Sequence, residues 1–537
     1  MPTEPRSAPN AARDPGFAGS RDHTRRDLIR LAAAGGLLAG TGLRIGPARA
    51  QDAPTLPAAG APFDAATVPD LARAFAKAAY AAPRTDDLPA ALKGLSREQY
   101  GAIRVRPGAA IWEGDDLGFA VEPLHRGAIF TGRVALFLVE GGQVRPLAYD
   151  PAAFETAGPA LPDFAEDPGF SGFRLRARFP GEAGLSDFAV FQGASFFRLI
   201  ARGQGFGINA RALTLRPADA RGEEFPLFRA VFIERPTGGG ALVLHALIDS
   251  DSASGALRMV LRPGTEASTA DVETTVFARK ALDHLGLGGM QASSLFGPLD
   301  RRGVDDARAA AFSADGLQIR NGAGEAIWRP VRNPDTLQVS SFLDENPKGF
   351  GLTQRVRAYD AFADDVQHWE WRPSLWLEPG DAWAAGAVTL IEIPSDAELN
   401  ENVLAYWRPK EAVAAGGETT FRYRQHWCWQ PPLPAPGTDP VATVTGSRSG
   451  RGSSGTRRLF LVDFTGAGLF AEGGLDIALS AGPGTIARRQ LFSYPERETV
   501  RVAFELDPGG ERASELRLAL RRAGRAVTET WLYRWTP

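Results

Sequence analysis

The chain has 537 residues, with 60 Lys+Arg against 63 Asp+Glu, a net charge of −3 and a single cysteine. That charge balance excludes a basic nucleic-acid binder, and one cysteine excludes both an intrachain disulfide and a multi-cysteine metal site. Sixty glycines and forty prolines punctuate the chain heavily, and short apolar runs between turn residues predict β structure with little helix.

The first fifty residues have the order of parts of an export signal. A polar leader precedes Thr24-Arg25-Arg26-Asp27-Leu28-Ile29-Arg30, a paired arginine ahead of apolar residues. Residues 31–43 are uncharged, but they are too short and too rich in Gly and Ala for a bilayer span, which needs about 20 apolar residues. Ala48-Arg49-Ala50 supplies a small-x-small cleavage pattern. The expectation is a twin-arginine signal over residues 1–50 and a mature protein in the periplasm. Residues 1–50 hold 8 Lys+Arg and 4 Asp+Glu, so the mature chain carries 52 against 59 and a net charge of −7.

After the signal, residues 68–80 read as helix, with Val68, Leu71, Phe75 and Ala78 on one face and Pro69 and Asp70 suited to a first turn. Strand-length apolar runs follow at 134–140, 188–191, 231–233, 241–247 and 388–393. Residues 173–179 alternate Phe, Leu, Ala and Phe with three arginines, the pattern of a half-buried strand. Cys428 lies in Gln425-His426-Trp427-Cys428-Trp429, where a packed thiol is expected. Residues 446–455 (GSRSGRGSSG) contain no apolar side chain and read as flexible linker. Beyond them, residues 459–464, 499–506 and 515–520 alternate as strands. The expected division is a large β domain over residues 51–429, a linker over 430–455 and a small β-sandwich over 456–537.

Motif chemistry excludes more than it finds. The six histidines show no metal-ligand spacing, there is no G-x-S-x-G elbow or phosphate-binding loop, and no cofactor or metal is expected. Gly203-Gln204-Gly205-Phe206-Gly207 reads as turns or bulges. Tryptophans 328, 369, 371, 376, 383 and 407, with Tyr359 and Tyr406, crowd between residues 328 and 407 among Asp and Glu. Sugars need that mixture, because their C–H faces stack on aromatic rings while their hydroxyls need polar partners. The same rings would equally fill a sandwich core.

Here the sequence closely resembles a known family. Residues 191–198 (FQGASFFR), 222–226 (GEEFP), 233–236 (IERP), 328–330 (WRP), 344–351 (DENPKGFG), 372–376 (RPSLW) and 405–407 (AYW) resemble, in order, motifs of the periplasmic glucan biosynthesis proteins G and D. The export signal favours the D-type branch. The resemblance implies an all-β fold, a large galactose-mutarotase-like β-sandwich followed by a small immunoglobulin-like one. It also implies action on the β-1,2-linked backbone of osmoregulated periplasmic glucans, as an inverting glucanase or a transglycosylase, or else a non-catalytic glucan-binding role beside the inner-membrane glucan synthase machinery.

A glycosidase needs a proton donor and a base. The family's general acid is an Asp just ahead of Ala-Tyr-Trp, and Glu401 of Asn400-Glu401-Asn402 holds that place, one methylene longer. The family's candidate base falls on Ser313, which cannot serve at neutral pH. Asp315, two residues on, is the substitute candidate, ahead of Asp305 and Asp306. The motif residues Trp328, Arg329, Asp344, Glu345, Arg372, Trp376, Tyr406 and Trp407 are the expected glucan contacts.

Overall fold

Alternating apolar and polar residues build the fold strand by strand. In Gly172–Ala177, Phe173, Leu175 and Ala177 are fully buried, while Arg176 turns the other way to pair with Glu113 at 2.8 Å. A computed structural model describes residues 54–537 except 157–160, 162–166, 239, 302, 399 and 433–440, within one compact unit starting at residue 53. The arginine pair and cleavage pattern lie outside the described residues. No helix among them is long and apolar enough to cross a membrane.

Two large sheets face each other. One runs in the order Phe119–Leu124, Gly172–Ala177, Ser186–Gln192, Phe196–Leu199, Asn209–Arg211, Leu285–Ala292, Val403–Pro409, Ala385–Glu392 and Gln338–Glu345. The other includes Leu242–Asp249, Ala253–Arg262, Ala267–Ala278, Glu418–Cys428 and Ser374–Pro379 as consecutive neighbours. Phe173, Phe197, Met290 and Trp407 from the first meet Leu244, Met259, Val272 and Trp427 from the second in the main core. Helix Thr67–Lys77 lays Val68, Ala72 and Phe75 on the outer face of the second sheet, against Phe137, Phe232 and Leu247. It ends three residues before the expected limit, because Ala78 is already extended.

The C-terminal segment forms a smaller sandwich, so the architecture is all-β throughout. Strands Thr443–Arg451, Arg458–Thr465, Thr499–Asp507 and Thr485–Tyr494 make a sheet that packs on Asp476–Gly482, Ser514–Arg522 and Thr530–Trp535 around Phe460, Val462, Phe504, Leu518 and Trp531. The latter three strands are joined to the second large sheet by parallel pairing of Ile327 with Thr530 and Trp328 with Trp531.

The linker expected at 430–455 is corrected here. Residues 443–451 are a strand, paired from Thr443↔Thr465 to Arg451↔Arg458, and a turn follows at residues 452–457. It is an edge strand, paired with another strand on one flank only among the described residues, and such strands carry polar and charged residues because their other flank must not recruit another chain.

Candidate functional site

Glu401 stands just ahead of strand Val403–Pro409, and three neighbouring strands supply its partners. Phe197 and Leu199 point into the main core, so Arg198 between them points away. Ala210 does the same for Asn209 and Arg211, and Met290 and Ala292 for Gln291. Register pairs Phe197 with Ala210, Asn209 with Gln291, and Gln291 with Leu404, so these polar side chains form one row on the side of the sheet away from the core. The Glu401 carboxylate receives hydrogen bonds from Asn209 Nδ2 and Gln291 Nε2, and from the Arg198 guanidinium at 3.3 Å. Its side chain is 15% exposed and that of Arg198 is 40% exposed, so the pair reaches solvent.

The row extends outward from Glu401. Arg211 donates to Gln291 Oε1 at 2.7 Å and to Glu223, and its guanidinium lies over the rings of Phe196 and Phe225 at 5.3 and 5.7 Å. Phe225 is half exposed. Asn402 anchors the segment from the other side. It accepts from the Ser294 amide at 2.8 Å and donates to the carbonyls of Ser294 and Ile393 at 3.0 and 3.1 Å. Glu401 is therefore a held carboxylate with three donors on it and a short path to water. Arg198 and Asn209 share one oxygen and Gln291 takes the other, so of the carboxyl group's four acceptor positions one, on Oε2, is left for a proton or a ligand hydroxyl.

The two base candidates face different surroundings. Ser313 is buried, accepts from the Ser293 amide at 3.0 Å, and offers no carboxyl group. Asp315 accepts from the Arg355 amide at 3.1 Å. The residue is half-buried but its carboxyl is covered, and burial pushes it up to about 6 against the opposing pull of Arg355 and Arg357. It lines a cavity of about 340 Å³ with Trp328, Phe312 and Val444, and it makes no described contact with Glu401. Asp305 is exposed, and Asp306 is paired with Arg308 at 2.8 Å.

Most of the expected glucan contacts are core residues in this structure. Trp376 and Trp407 are completely buried and offer no face to a sugar. Their place is fixed by neighbouring glycines: a Cβ on Gly349 would collide with the Trp376 ring, one on Gly386 with Trp407 and one on Gly316 with Trp328. Trp328 is held between Gly316 and the Arg355 guanidinium, 3.6 Å from its ring centre. Arg329 is buried and bound to the buried Glu392 at 3.0 Å, which corrects its expected ligand role, since its charge is already satisfied. Tyr406 is buried with its hydroxyl on His284 Nε2 at 2.8 Å, and burial pushes its phenol up to about 12. Asp344 accepts from the Gly322 amide at 3.0 Å and caps that turn, while Glu345 is exposed at the sheet edge.

Arg372 is half-buried, and burial together with the nearby charge of Arg198 lowers its guanidinium pKa. It donates to the Phe206 and Gln367 carbonyls, the latter at 2.7 Å, and its stem fits only because residue 207 is Gly. Within the Gly-rich 203–207 loop, Gly203 is needed instead for its positive φ.

Arg198, Asn209, Arg211, Glu223 and Gln291 were not singled out from the sequence. Arg198 and Glu223 fall within the FQGASFFR and GEEFP motifs, which was the available signal. Asn209 and Gln291 carry no local one, because strand pairing alone brings them to residue 401. Cys428 is buried as expected, and burial pushes its thiol up to about 12. No group of three or more His, Cys, Asp or Glu among the described residues is placed to hold a metal ion.

Comparison with known proteins agrees over nearly the whole described chain. The model of the family described as "Periplasmic glucan biosynthesis protein, MdoG" matches residues 63–535. Glucans biosynthesis protein G of Vibrio cholerae serotype O1 is 40% identical over 88% of this chain and 87% of its own. The protein of that name from Shewanella frigidimarina is 40% identical over 88% of this chain and 85% of its own, and that from Bradyrhizobium diazoefficiens 40% over 88% and 94%. All three carry the G name, whereas the export signal favoured the D-type branch.

Proposed function

The chain belongs to the MdoG family of periplasmic glucan biosynthesis proteins, and from that premise we propose that it acts on β-1,2-linked glucan at Glu401 as an inverting glucanase or transglycosylase. The observation that carries the reading is the convergence of Arg198, Asn209 and Gln291, from three consecutive strands, on a carboxylate in the family's general-acid place. Three donors offset the burial of this carboxylate while it still reaches solvent beside Arg198, an arrangement that suits chemistry or recognition.

In the reaction Glu401 gives its proton to the glycosidic oxygen as the C1–O bond breaks. In hydrolysis a water attacks C1 from the opposite face and its proton passes to a base; in transfer a sugar hydroxyl takes the water's place. Asp315, with its carboxyl near 6, can hold such a proton close to neutral pH. It lies off the Glu401 row, so intervening water must carry the proton to it. Phe225, half exposed over Arg211, supplies an aromatic face for a neighbouring sugar.

A second reading, a glucan-binding factor of the biosynthetic machinery, is favoured by Ser313, which puts a hydroxyl tied to the Ser293 backbone where the family's base stands. Incubating the mature protein with β-1,2-glucan and weighing the products separates the two. Shortened, lengthened or cyclised chains support the enzyme. An unchanged mass distribution with retained binding supports the factor.

A further inference from the structure

Of the eleven tryptophans in the chain, Trp371 is the one whose ring is exposed, at 45%. The turn that carries it is built by its neighbours. Asp364 accepts from the Val366 and Gln367 amides at 3.0 and 2.9 Å and from the Trp369 indole at 3.0 Å, so Trp369 turns inward and is buried. A short 3-10 turn over Trp369–Trp371 then leaves the second indole outside.

His368 fixes how that indole is presented. The residue sits in the left-handed region at φ 47°, a conformation uncommon outside glycine that clusters at functional positions. There its imidazole lies parallel to the Trp371 indole, 3.9 Å away with 5° between the planes, and its Nδ1 donates to the buried Glu370 carboxylate at 3.0 Å. The His368 side chain is itself 31% exposed, so the stack stands at the surface and fills no core. No other aromatic ring or guanidinium among the described residues stacks on Trp371, which leaves its second face without a ring partner. A strained backbone and a held imidazole thus keep one open indole in a fixed orientation.

The turn lies beside the chain that supports Glu401. The Trp371 carbonyl accepts from the Gly205 amide at 3.1 Å, the Arg372 stem packs on Gly207, and the Arg372 guanidinium donates to the Phe206 carbonyl. Two residues beyond Gly207 stands Asn209, which donates to the Glu401 carboxylate, so at most about 7 Å of backbone separates that packing from the row. We propose that Trp371 is an aromatic subsite for a sugar ring of the glucan, a few units along the chain from the bond at Glu401, with His368 as its positioning residue. A pyranose offers a flat, neutral C–H face, which is what an open indole face takes. The identity of the sugar rests on the function proposed above.

The test is calorimetric titration of the mature protein with β-1,2-linked glucohexaose, beside urea unfolding of each variant. Trp371→Ala should weaken binding about tenfold, and Trp371→Phe, which keeps a smaller ring face, by less. His368→Asn tolerates the left-handed backbone and keeps a donor for Glu370 but has no ring to stack, so it should weaken binding a few-fold without moving the unfolding midpoint. Bound glucohexaose should also shield the parent's one exposed tryptophan from acrylamide quenching. A parent that binds the hexaose while Trp371→Ala binds it equally well overturns the subsite and leaves the Glu401 reading intact. A lowered midpoint with undiminished affinity in His368→Asn overturns its positioning role and makes the stack structural. A parent that binds no hexaose overturns the Glu401 reading and the subsite with it.

Discussion

Arg329→Met should cost about 3–5 kcal/mol of stability at pH 7, the usual penalty for breaking a buried ion pair from one side. Arg329 and Glu392 are 2% and 0% exposed and sit 3.0 Å apart, on strands from opposite sheets of the large sandwich. Removing the guanidinium leaves a carboxylate whose remaining described donor is the Arg332 amide at 2.8 Å. Burial already raises the Glu392 carboxyl above its ordinary range, with Arg329 the strongest opposing influence, so the variant raises it further. A raised carboxyl keeps its proton in the folded state over a range where the unfolded chain has released it, so folded stability falls as pH rises through that range. The penalty should therefore be largest at pH 7 and shrink towards pH 5. Replacing both partners by Met should recover more than half of it. Urea unfolding followed by tryptophan fluorescence at the two pH values measures this. A cost below about 1 kcal/mol at pH 7, or loss of glucan binding without loss of stability, would show that Arg329 serves the ligand after all.

Three further outcomes follow from the same geometry. The Asp315 carboxyl near 6 lies about two units above an ordinary Asp, so wild-type stability should fall by up to about 3 kcal/mol as pH rises from about 4 to 6, and Asp315→Asn should lack that slope in urea unfolding. Gly316→Ala drives a methyl group into a Trp328 ring that Arg355 holds from above, and should cost about 1–3 kcal/mol by the same assay, with glucan binding kept in the folded fraction. Lys at both Arg25 and Arg26 should leave precursor in the cytoplasm on fractionation, since the guanidinium pair is what the exporter reads; undiminished export means a different signal.

What the sequence made legible was whatever a single strand or helix decides alone. The alternation of Phe173, Leu175 and Ala177 with arginines is a strand with those three buried, and Val68 and Phe75 lie under a helix close to its expected limits. The tryptophan crowd between 328 and 407 was ambiguous for a physical reason: stacking on a sugar and stacking on a cross-strand glycine use the same ring face. Trp328, Trp376 and Trp407 went to the glycines, and only Trp371 of the six is substantially exposed. The stretch at 446–455 misled because an edge strand and a linker share a composition, and only the pairing with Arg458–Thr465 separates them. Glu401 could be placed by motif, but its donors could not. Asn209 is 192 residues away in sequence and Gln291 is 110, so nothing local to either marks it.

The central claim is that Glu401 gives a proton to the glycosidic oxygen of β-1,2-linked glucan. Glu401→Gln keeps the shape and an acceptor for the Arg198 and Asn209 donors but has no proton to give. Turnover of β-1,2-glucan by the mature variant, followed by product mass beside calorimetric binding, measures the claim directly. The account predicts binding within a few-fold of the parent and turnover lower by about a hundredfold or more. A variant that turns the glucan over as fast as its parent contradicts it.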